Sequence, residues 1–266
     1  DNISSNSKIL DPCIGPNTFF KALPKKISNC YLKGIEIDKN LITDEIQKFY
    51  NYPKRTLIQG SFFDLDFTEK FDLIIQNPPY VRQELLANGV NSKSNLKNDV
   101  FSKFPNIPSQ SNLYIYFLIK SILHLNKNGI MVAVIYDSWL YSNFGKFLKE
   151  TFLKSGHLTS IYHFKKSAFE NAEVGATVIK FVKSQNKRES TTYFRLNDLN
   201  DLKNNTKSTE KSHNLNPKEL ITYSFNNYEY YSISACSISI LFFLIGNFFL
   251  ISFFFIFLFI LIIGIR

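Results

Sequence analysis

The chain has 266 residues, which is enough for one to two domains with a sizeable buried core. Its 45% apolar and 20% charged residues exclude both a wholly membrane-embedded and a disordered protein. The net charge of +9 favours polyanionic partners such as nucleic acid or anionic lipid, although an excess of lysine also serves solubility. The three cysteines are odd in number and widely spaced, which argues against a disulfide framework, and no histidine has metal-ligand spacing. We therefore expect a cytoplasmic protein without a metal site.

From residue 8 onward, short apolar runs alternate with stretches that carry apolar residues at helical spacing. The spacing predicts helices over residues 19–27, 41–50, 113–125 and 144–152. The apolar runs predict seven strands, over residues 9–10, 31–37, 57–58, 71–75, 130–135, 158–164 and 176–182. Helices that link successive strands are typical of α/β proteins, so we predict a doubly wound, mainly parallel, seven-stranded sheet.

The first predicted strand runs into a turn that contains Asp11, Pro12 and Gly15. A glycine in such a turn lets a ligand approach the backbone. Glu36 lies at the end of the second predicted strand, about 20 residues after the turn, which is the spacing of a carboxylate that accepts hydrogen bonds from ribose hydroxyls. The turn and the carboxylate together predict a pocket for a nucleoside cofactor.

The most informative motif is Asn77-Pro78-Pro79-Tyr80, which directly follows an apolar predicted strand. Ligands of open α/β sheets bind at the carboxyl ends of strands, so the motif is expected to face a cleft. Two prolines stiffen the turn, and the Asn77 side-chain oxygen and the Pro78 carbonyl can then accept both N–H groups of one amino nitrogen. The Tyr80 ring offers a flat face on which a base can stack, a contact of roughly 1–3 kcal/mol.

Three later segments break the α/β pattern. Residues 83–111 form a long polar stretch that we interpret as a lid or binding loop. Residues 184–232 are polar and are interpreted as a linker or the start of a recognition domain. In residues 233–266, 26 of 34 side chains are apolar, which is long enough to span a bilayer. Because the chain is rich in residues with A- and T-rich codons, a frameshift product is an equally weighted explanation of this tail.

With these motifs in place, residues 8–183 resemble the gamma-class, TaqI-like, N6-adenine DNA methyltransferases of bacterial restriction-modification systems. The resemblance implies that S-adenosylmethionine is the cofactor, that Asp11 and Gly15 line its site and that Glu36 holds its ribose. It also implies that Asn77 and Pro78 hold the target amino group. By the same resemblance, Tyr80 and Phe169 sandwich an adenine that has been flipped out of the duplex, as enzymes acting on a base require.

The chain departs from the family at several positions. Asn17 stands where the family has a second turn glycine, and asparagine tolerates a positive φ better than most residues. The family's acidic contact to the cofactor adenine falls on Ser61, with Asp64 three residues away. The family's cofactor-covering segment lies about 20 residues before the first turn, whereas only ten residues precede Asp11 here. The chain also turns hydrophobic where the family's separate recognition domain is expected. We therefore expect a family member truncated at both ends, with residues 1–183 as its catalytic domain.

The predicted function is transfer of a methyl group from S-adenosylmethionine to the N6 amino group of adenine in double-stranded DNA, with a restriction endonuclease as a further expected partner. A protein-glutamine or RNA amino methyltransferase is the alternative enzyme, because the same tetrapeptide can hold any planar amino or amide group. An inactive remnant with a membrane-inserting tail is the alternative outside that class. A membrane is expected as a partner only if the tail is genuine.

Overall fold

In the computed structural model, the apolar runs that alternate with helical segments along the chain form the strands of one mixed sheet. The model describes residues 3–24, 27, 29–80, 104, 106–108, 111–164, 175–184, 190–196 and 212–223. The strands are β1 (Lys8–Asp11), β2 (Tyr31–Glu36), β3 (Arg55–Gln59), β4 (Phe71–Gln76), β5 (Leu125–Tyr136), β6 (His157–Phe164), β7 (Ala176–Val182), β8 (Thr191–Leu196) and β9 (Ser212–Leu215). The helices are α1 (Thr18–Lys21), α2 (Asp44–Tyr50), α3 (Leu113–His124), α4 (Asn143–Ser155) and α5 (Pro217–Thr222).

The strand order across the sheet is β3-β2-β1-β4-β5-β7-β6-β8-β9. The first five strands in this order are parallel to their neighbours. β7 then runs antiparallel to both β5 and β6, while β6 and β8 are parallel and β9 closes the sheet as an antiparallel edge strand. From β1 the chain first adds β2 and β3 on one side and then crosses to add β4 and β5 on the other side. Open α/β sheets bind ligands at such a reversal of strand order, at the carboxyl ends of the strands.

The α/β class and the mostly parallel sheet are confirmed, but the prediction of seven strands is wrong. Two further strands, β8 and β9, lie within the polar segment 184–232. Among the described strands, β9 pairs with β8 alone, and His213 and Asn214 on it are exposed. Because an edge strand exposes one side to water, it does not need the apolar run by which the inner strands are found in a sequence.

Apolar side chains of the parallel strands pack alternately on the two faces of the sheet. On one face, Leu10 and Ile74 belong to the cluster that includes α3 and α4. On the other face, Ile9, Leu73 and Ile75 belong to the cluster that includes α1 and α2. Burial on both faces explains why these strands read as continuous apolar runs, and it makes the sheet a rigid base for the residues at its edge.

The first helix is shorter than its sequence pattern indicates. A helix was predicted over residues 19–27, whereas α1 ends at Lys21. Pro24 explains the difference, because proline cannot donate the hydrogen bond that continues a helix and disfavours helical geometry in the residue before it.

None of the helices in the described part of the chain is both long and apolar enough to cross a membrane. The apolar tail over residues 233–266 and most of the predicted loop over residues 83–111 lie outside the described residues.

Candidate active site

Four neighbouring parallel strands bring the predicted site residues to one edge of the sheet. Asp11 ends β1 and Glu36 ends β2, while Ser61 and Asn77 follow β3 and β4 closely. These strands are adjacent in the order β3-β2-β1-β4, so their carboxyl ends meet along one line. This is where open α/β sheets bind ligands.

The turn after β1 is tied to the end of β2 by the Glu36 carboxylate. Glu36 Oε2 accepts from the backbone N–H of Gly15 at 2.9 Å, and Oε1 accepts from that of Asp38 at 2.9 Å. Gly15 has φ +49°, and nothing lies within 4 Å of the position that a Cβ on it would take. Each carboxylate oxygen keeps a second lone pair, so Glu36 can hold the turn and still accept from a ribose hydroxyl.

Asp11 is fully buried at the floor of this turn. Its Oδ1 accepts from the backbone N–H of Cys13 at 3.1 Å, while its Oδ2 has no hydrogen-bond partner among the described residues. Burial raises the pKa of Asp11 to about 8, with a further increase from the nearby Glu36 carboxylate and an opposing effect of the Cys13 N–H. A buried carboxyl oxygen without a partner among the described residues, next to an open glycine, fits a ligand that carries hydrogen-bond donors, as S-adenosylmethionine does.

Asn17, at the position where the family resemblance predicts a second turn glycine, adopts a left-handed backbone with φ +59°. Its Oδ1 accepts a hydrogen bond of 3.2 Å from the hydroxyl of Tyr50, and both side chains are buried. A Cβ on Gly34 would lie 2.0 Å from that hydroxyl, so this glycine makes room for Tyr50 to reach the turn. A buried hydrogen bond thus holds the Asn17 side chain at this left-handed position.

Ser61 lies beside the site, but it also has a structural role. Its hydroxyl accepts from the backbone N–H of Phe63 at 3.2 Å and caps the short 3₁₀ turn Phe62–Asp64. The preceding Gly60 donates its N–H to the carbonyl of Glu36 at 2.8 Å, which joins the end of β3 to the end of β2. Asp64 is exposed at the end of the turn.

The tetrapeptide Asn77-Pro78-Pro79-Tyr80 directly follows β4, as predicted. Pro78 is buried, and the other three residues are half-buried. The Asn77 carbonyl accepts from the Cys13 thiol, with Sγ and O 3.3 Å apart. Since burial raises the pKa of Cys13 well above its ordinary value, the thiol stays protonated and can donate. The turn after β1 and the tetrapeptide are therefore in direct contact.

Tyr80 is held by contacts that the sequence did not reveal. Its hydroxyl oxygen lies within hydrogen-bond distance of the Asn77 side-chain oxygen and 3.0 Å from the Val134 carbonyl oxygen. Its ring stacks on Tyr136, with centroids 3.9 Å apart and an interplanar angle of 22°. Tyr136 ends β5, the strand next to β4 in the sheet. An aromatic residue at the end of a predicted strand was therefore the signal in the sequence that could have placed Tyr136 at the site. Phe169, predicted to complete the base sandwich, lies outside the described residues.

Comparison with known proteins agrees with this arrangement. Residues 14–169 match the family model described as Eco57I restriction-modification methylase. The chain is 26% identical over 221 residues to the type II methyltransferase M.AccI of Acinetobacter calcoaceticus, covering 82% of this chain and 40% of that protein. It is 31% identical over 128 residues to modification methylase CviBIII of Paramecium bursaria Chlorella virus NC1A, covering 48% of this chain and 30% of that protein. The chain thus spans less than half the length of these relatives.

Solved structures show the same fold. The methyltransferase subunit of a type I restriction-modification system from Streptococcus thermophilus superposes with a TM-score of 0.62 at 18% identity, covering 82% of this chain and 52% of that one. A Listeria monocytogenes structure described as a class I S-adenosylmethionine-dependent methyltransferase gives a TM-score of 0.59 at 15% identity, covering 76% of this chain and 62% of that one. The fold is that of S-adenosylmethionine-dependent methyltransferases, and this chain takes that cofactor. With a family match over more than half its length, the chain belongs to the Eco57I restriction-modification methylase family.

Proposed function

We propose that this chain is the catalytic part of a DNA methyltransferase that methylates the N6 amino group of adenine. The observation that carries the proposal is the Asn77-Pro78 pair at the carboxyl end of β4, joined to the turn after β1 through the Cys13 thiol. Two acceptor oxygens for an amino group would thereby lie beside the proposed cofactor site. The type II methyltransferases among its relatives support DNA as the substrate.

On the cofactor side, Asp11, Gly15 and Glu36 form the proposed binding site. S-adenosylmethionine supplies a methyl group on a positively charged sulfur. The Glu36 carboxylate, which already accepts from the Gly15 N–H, would also accept from the ribose, and the open space at Gly15 would leave room for the cofactor. Asp11 would supply the carboxyl oxygen that has no partner among the described residues. Ser61 and Asp64 are proposed to lie near the cofactor adenine because they follow β3, the neighbour of β2.

On the substrate side, the task of the protein is to make a weak nucleophile reactive. The lone pair of the adenine amino nitrogen is delocalised into the ring. Accepting both of its N–H bonds, at Asn77 and at the Pro78 carbonyl, favours a pyramidal nitrogen whose lone pair points away from the acceptors. The two prolines hold both oxygens rigidly, so the stabilisation arises from positioning and preorganised electrostatics rather than from a covalent intermediate.

A base inside a duplex cannot reach these oxygens, so the proposal includes extrusion of the adenine. Unstacking costs a few kcal/mol, and stacking on aromatic side chains offsets it. Tyr80 supplies one such ring beside Asn77, and Phe169 is proposed as the second. A restriction endonuclease remains a proposed partner, in keeping with the restriction-modification family.

The Asn77→Ala variant tests the proposal. We expect loss of methyl transfer to adenine-containing duplex DNA, while S-adenosylmethionine affinity measured by calorimetry stays nearly unchanged. Asn51→Ala, which alters an exposed residue just after α2, is the matched control and should retain activity. Full activity of Asn77→Ala would refute the assignment of the amino-group site.

Substrate choice is tested with the unaltered protein. Methyl incorporation from labelled S-adenosylmethionine is compared for adenine-containing duplex DNA, single-stranded RNA and a glutamine peptide. We expect incorporation into the duplex. Preferential labelling of the peptide or the RNA would replace the DNA substrate with one of the alternatives that the tetrapeptide also allows.

A further inference from the structure

The Tyr80 hydroxyl lies between two oxygens that both need a proton. Asn77 Oδ1 is within hydrogen-bond distance of Tyr80 Oη, and the Val134 carbonyl oxygen is 3.0 Å from it. A tyrosine hydroxyl carries one proton, and both neighbours are acceptors in this orientation of the amide. Only one of the two hydrogen bonds can therefore form at a time.

A rotation of the Asn77 amide by 180° resolves this conflict. The two ends of a side-chain amide have nearly the same size, so the rotation preserves the packing. Asn77 Nδ2 then donates to Tyr80 Oη, and Tyr80 donates to the Val134 carbonyl, so that each hydrogen has one acceptor. In this orientation Asn77 Oδ1 points away from Tyr80.

We propose that the Tyr80 hydroxyl, anchored on the Val134 carbonyl, is a positioning group that turns the Asn77 amide so that Oδ1 faces the substrate amino nitrogen. This inference rests on the proposed function, in which Asn77 accepts from that nitrogen. It assigns the hydroxyl of Tyr80 a role separate from stacking by its ring. In the opposite orientation, the Asn77 amide N–H groups would face the N–H groups of the substrate, and the two sets of donors would repel each other.

The packing of the Tyr80 ring fixes the position of its hydroxyl. Tyr136 stacks on the Tyr80 ring, and Tyr114 contacts it in a T-shaped arrangement with centroids 6.2 Å apart. Val134 and Tyr136 belong to β5, which pairs with β4 along its length. A rigid ring on a rigid strand is the kind of support that fixes a polar side chain at a reactive centre. Burial raises the pKa of Tyr80 well above its ordinary value, so the hydroxyl keeps its proton.

The functional test is a double-mutant cycle between Tyr80→Phe and Asn77→Asp. Tyr80→Phe keeps the ring and removes the hydroxyl, and we expect kcat to fall about 10-fold, the effect of about one lost hydrogen bond, with unchanged cofactor affinity. A carboxylate has two equivalent oxygens and needs no orientation. In the Asn77→Asp background, the same substitution should therefore lower kcat by about 2-fold or less. An equal loss in both backgrounds would overturn the proposal.

A spectroscopic test does not depend on activity and separates this inference from the proposed function. Protein labelled with ¹⁵N-asparagine gives side-chain amide cross-peaks, and the peak absent from Asn77→Asp identifies Asn77. We expect one Asn77 amide proton to exchange slowly in the unaltered protein and rapidly in Tyr80→Phe. Tyr136→Phe, which removes the neighbouring hydroxyl and keeps the ring stack, should leave the slow exchange in place. Identical exchange in the unaltered protein and Tyr80→Phe would overturn the inference even if DNA methylation is observed.

Discussion

Replacing Asp11 with asparagine should remove a large part of the pH dependence of folding stability. Burial of this carboxyl raises its pKa from an ordinary value of 3.8 to about 8. The folded state therefore binds a proton that the unfolded state has already lost at intermediate pH. By linkage, the free energy of unfolding falls as the pH rises from about 4, and the loss is complete above about 8.

The size of the effect follows from the shift. Each pKa unit corresponds to about 1.36 kcal/mol, so a shift of about four units amounts to roughly 5–6 kcal/mol at high pH. Between pH 5 and pH 9, this one group should lower the free energy of unfolding by about 4 kcal/mol. Asparagine has nearly the same shape and never ionises, so Asp11→Asn lacks this loss.

Urea denaturation at pH 5, 7 and 9 measures the effect directly. As the pH rises, the free energy of unfolding of Asp11→Asn should increase relative to that of the unaltered protein. Asp44→Asn is the control, because Asp44 is exposed in the first turn of α2. If Asp11→Asn and the unaltered protein lose the same stability between pH 5 and pH 9, Asp11 does not titrate as a buried neutral carboxyl.

Gly34→Ala and Tyr50→Phe probe the turn that carries Asn17, and Gly60→Ala is the control for the first. Gly34→Ala would place a Cβ 2.0 Å from the Tyr50 hydroxyl and 2.7 Å from an Ile14 methyl, so we expect a loss of roughly 2–3 kcal/mol in thermal or urea unfolding. Gly60→Ala meets its nearest neighbour at 3.8 Å and should stay within about 0.5 kcal/mol of the unaltered protein; equal effects of the two substitutions would contradict the steric reasoning. Tyr50→Phe removes the donor to the buried Asn17 oxygen and should cost about 1–3 kcal/mol and weaken S-adenosylmethionine binding. Unchanged stability and affinity in Tyr50→Phe would show that this hydrogen bond does not support the turn.

Local patterns in the sequence were sufficient for the fold class and for the main site motifs. Inner parallel strands are buried on both faces, so their apolar runs were visible, and the tetrapeptide from Asn77 to Tyr80 was recognisable directly after one of them. The turn and Glu36 could also be related from the sequence, because both belong to one continuous strand-turn-helix-strand unit. β8 and β9 were missed because polar strands near a sheet edge carry no such pattern.

Features that depend on contacts between distant residues were decided only by the tertiary structure. The Cys13 thiol meets the Asn77 carbonyl 64 positions away, and the Tyr80 hydroxyl meets the Val134 carbonyl 54 positions away. The pKa of Asp11 likewise depends on its complete burial by the assembled sheet. The sequence by itself determined which chemical groups stand at the strand ends. Tertiary packing decided their protonation, their orientation and their partners, because solvent exclusion and hydrogen bonding arise only when the strands are side by side.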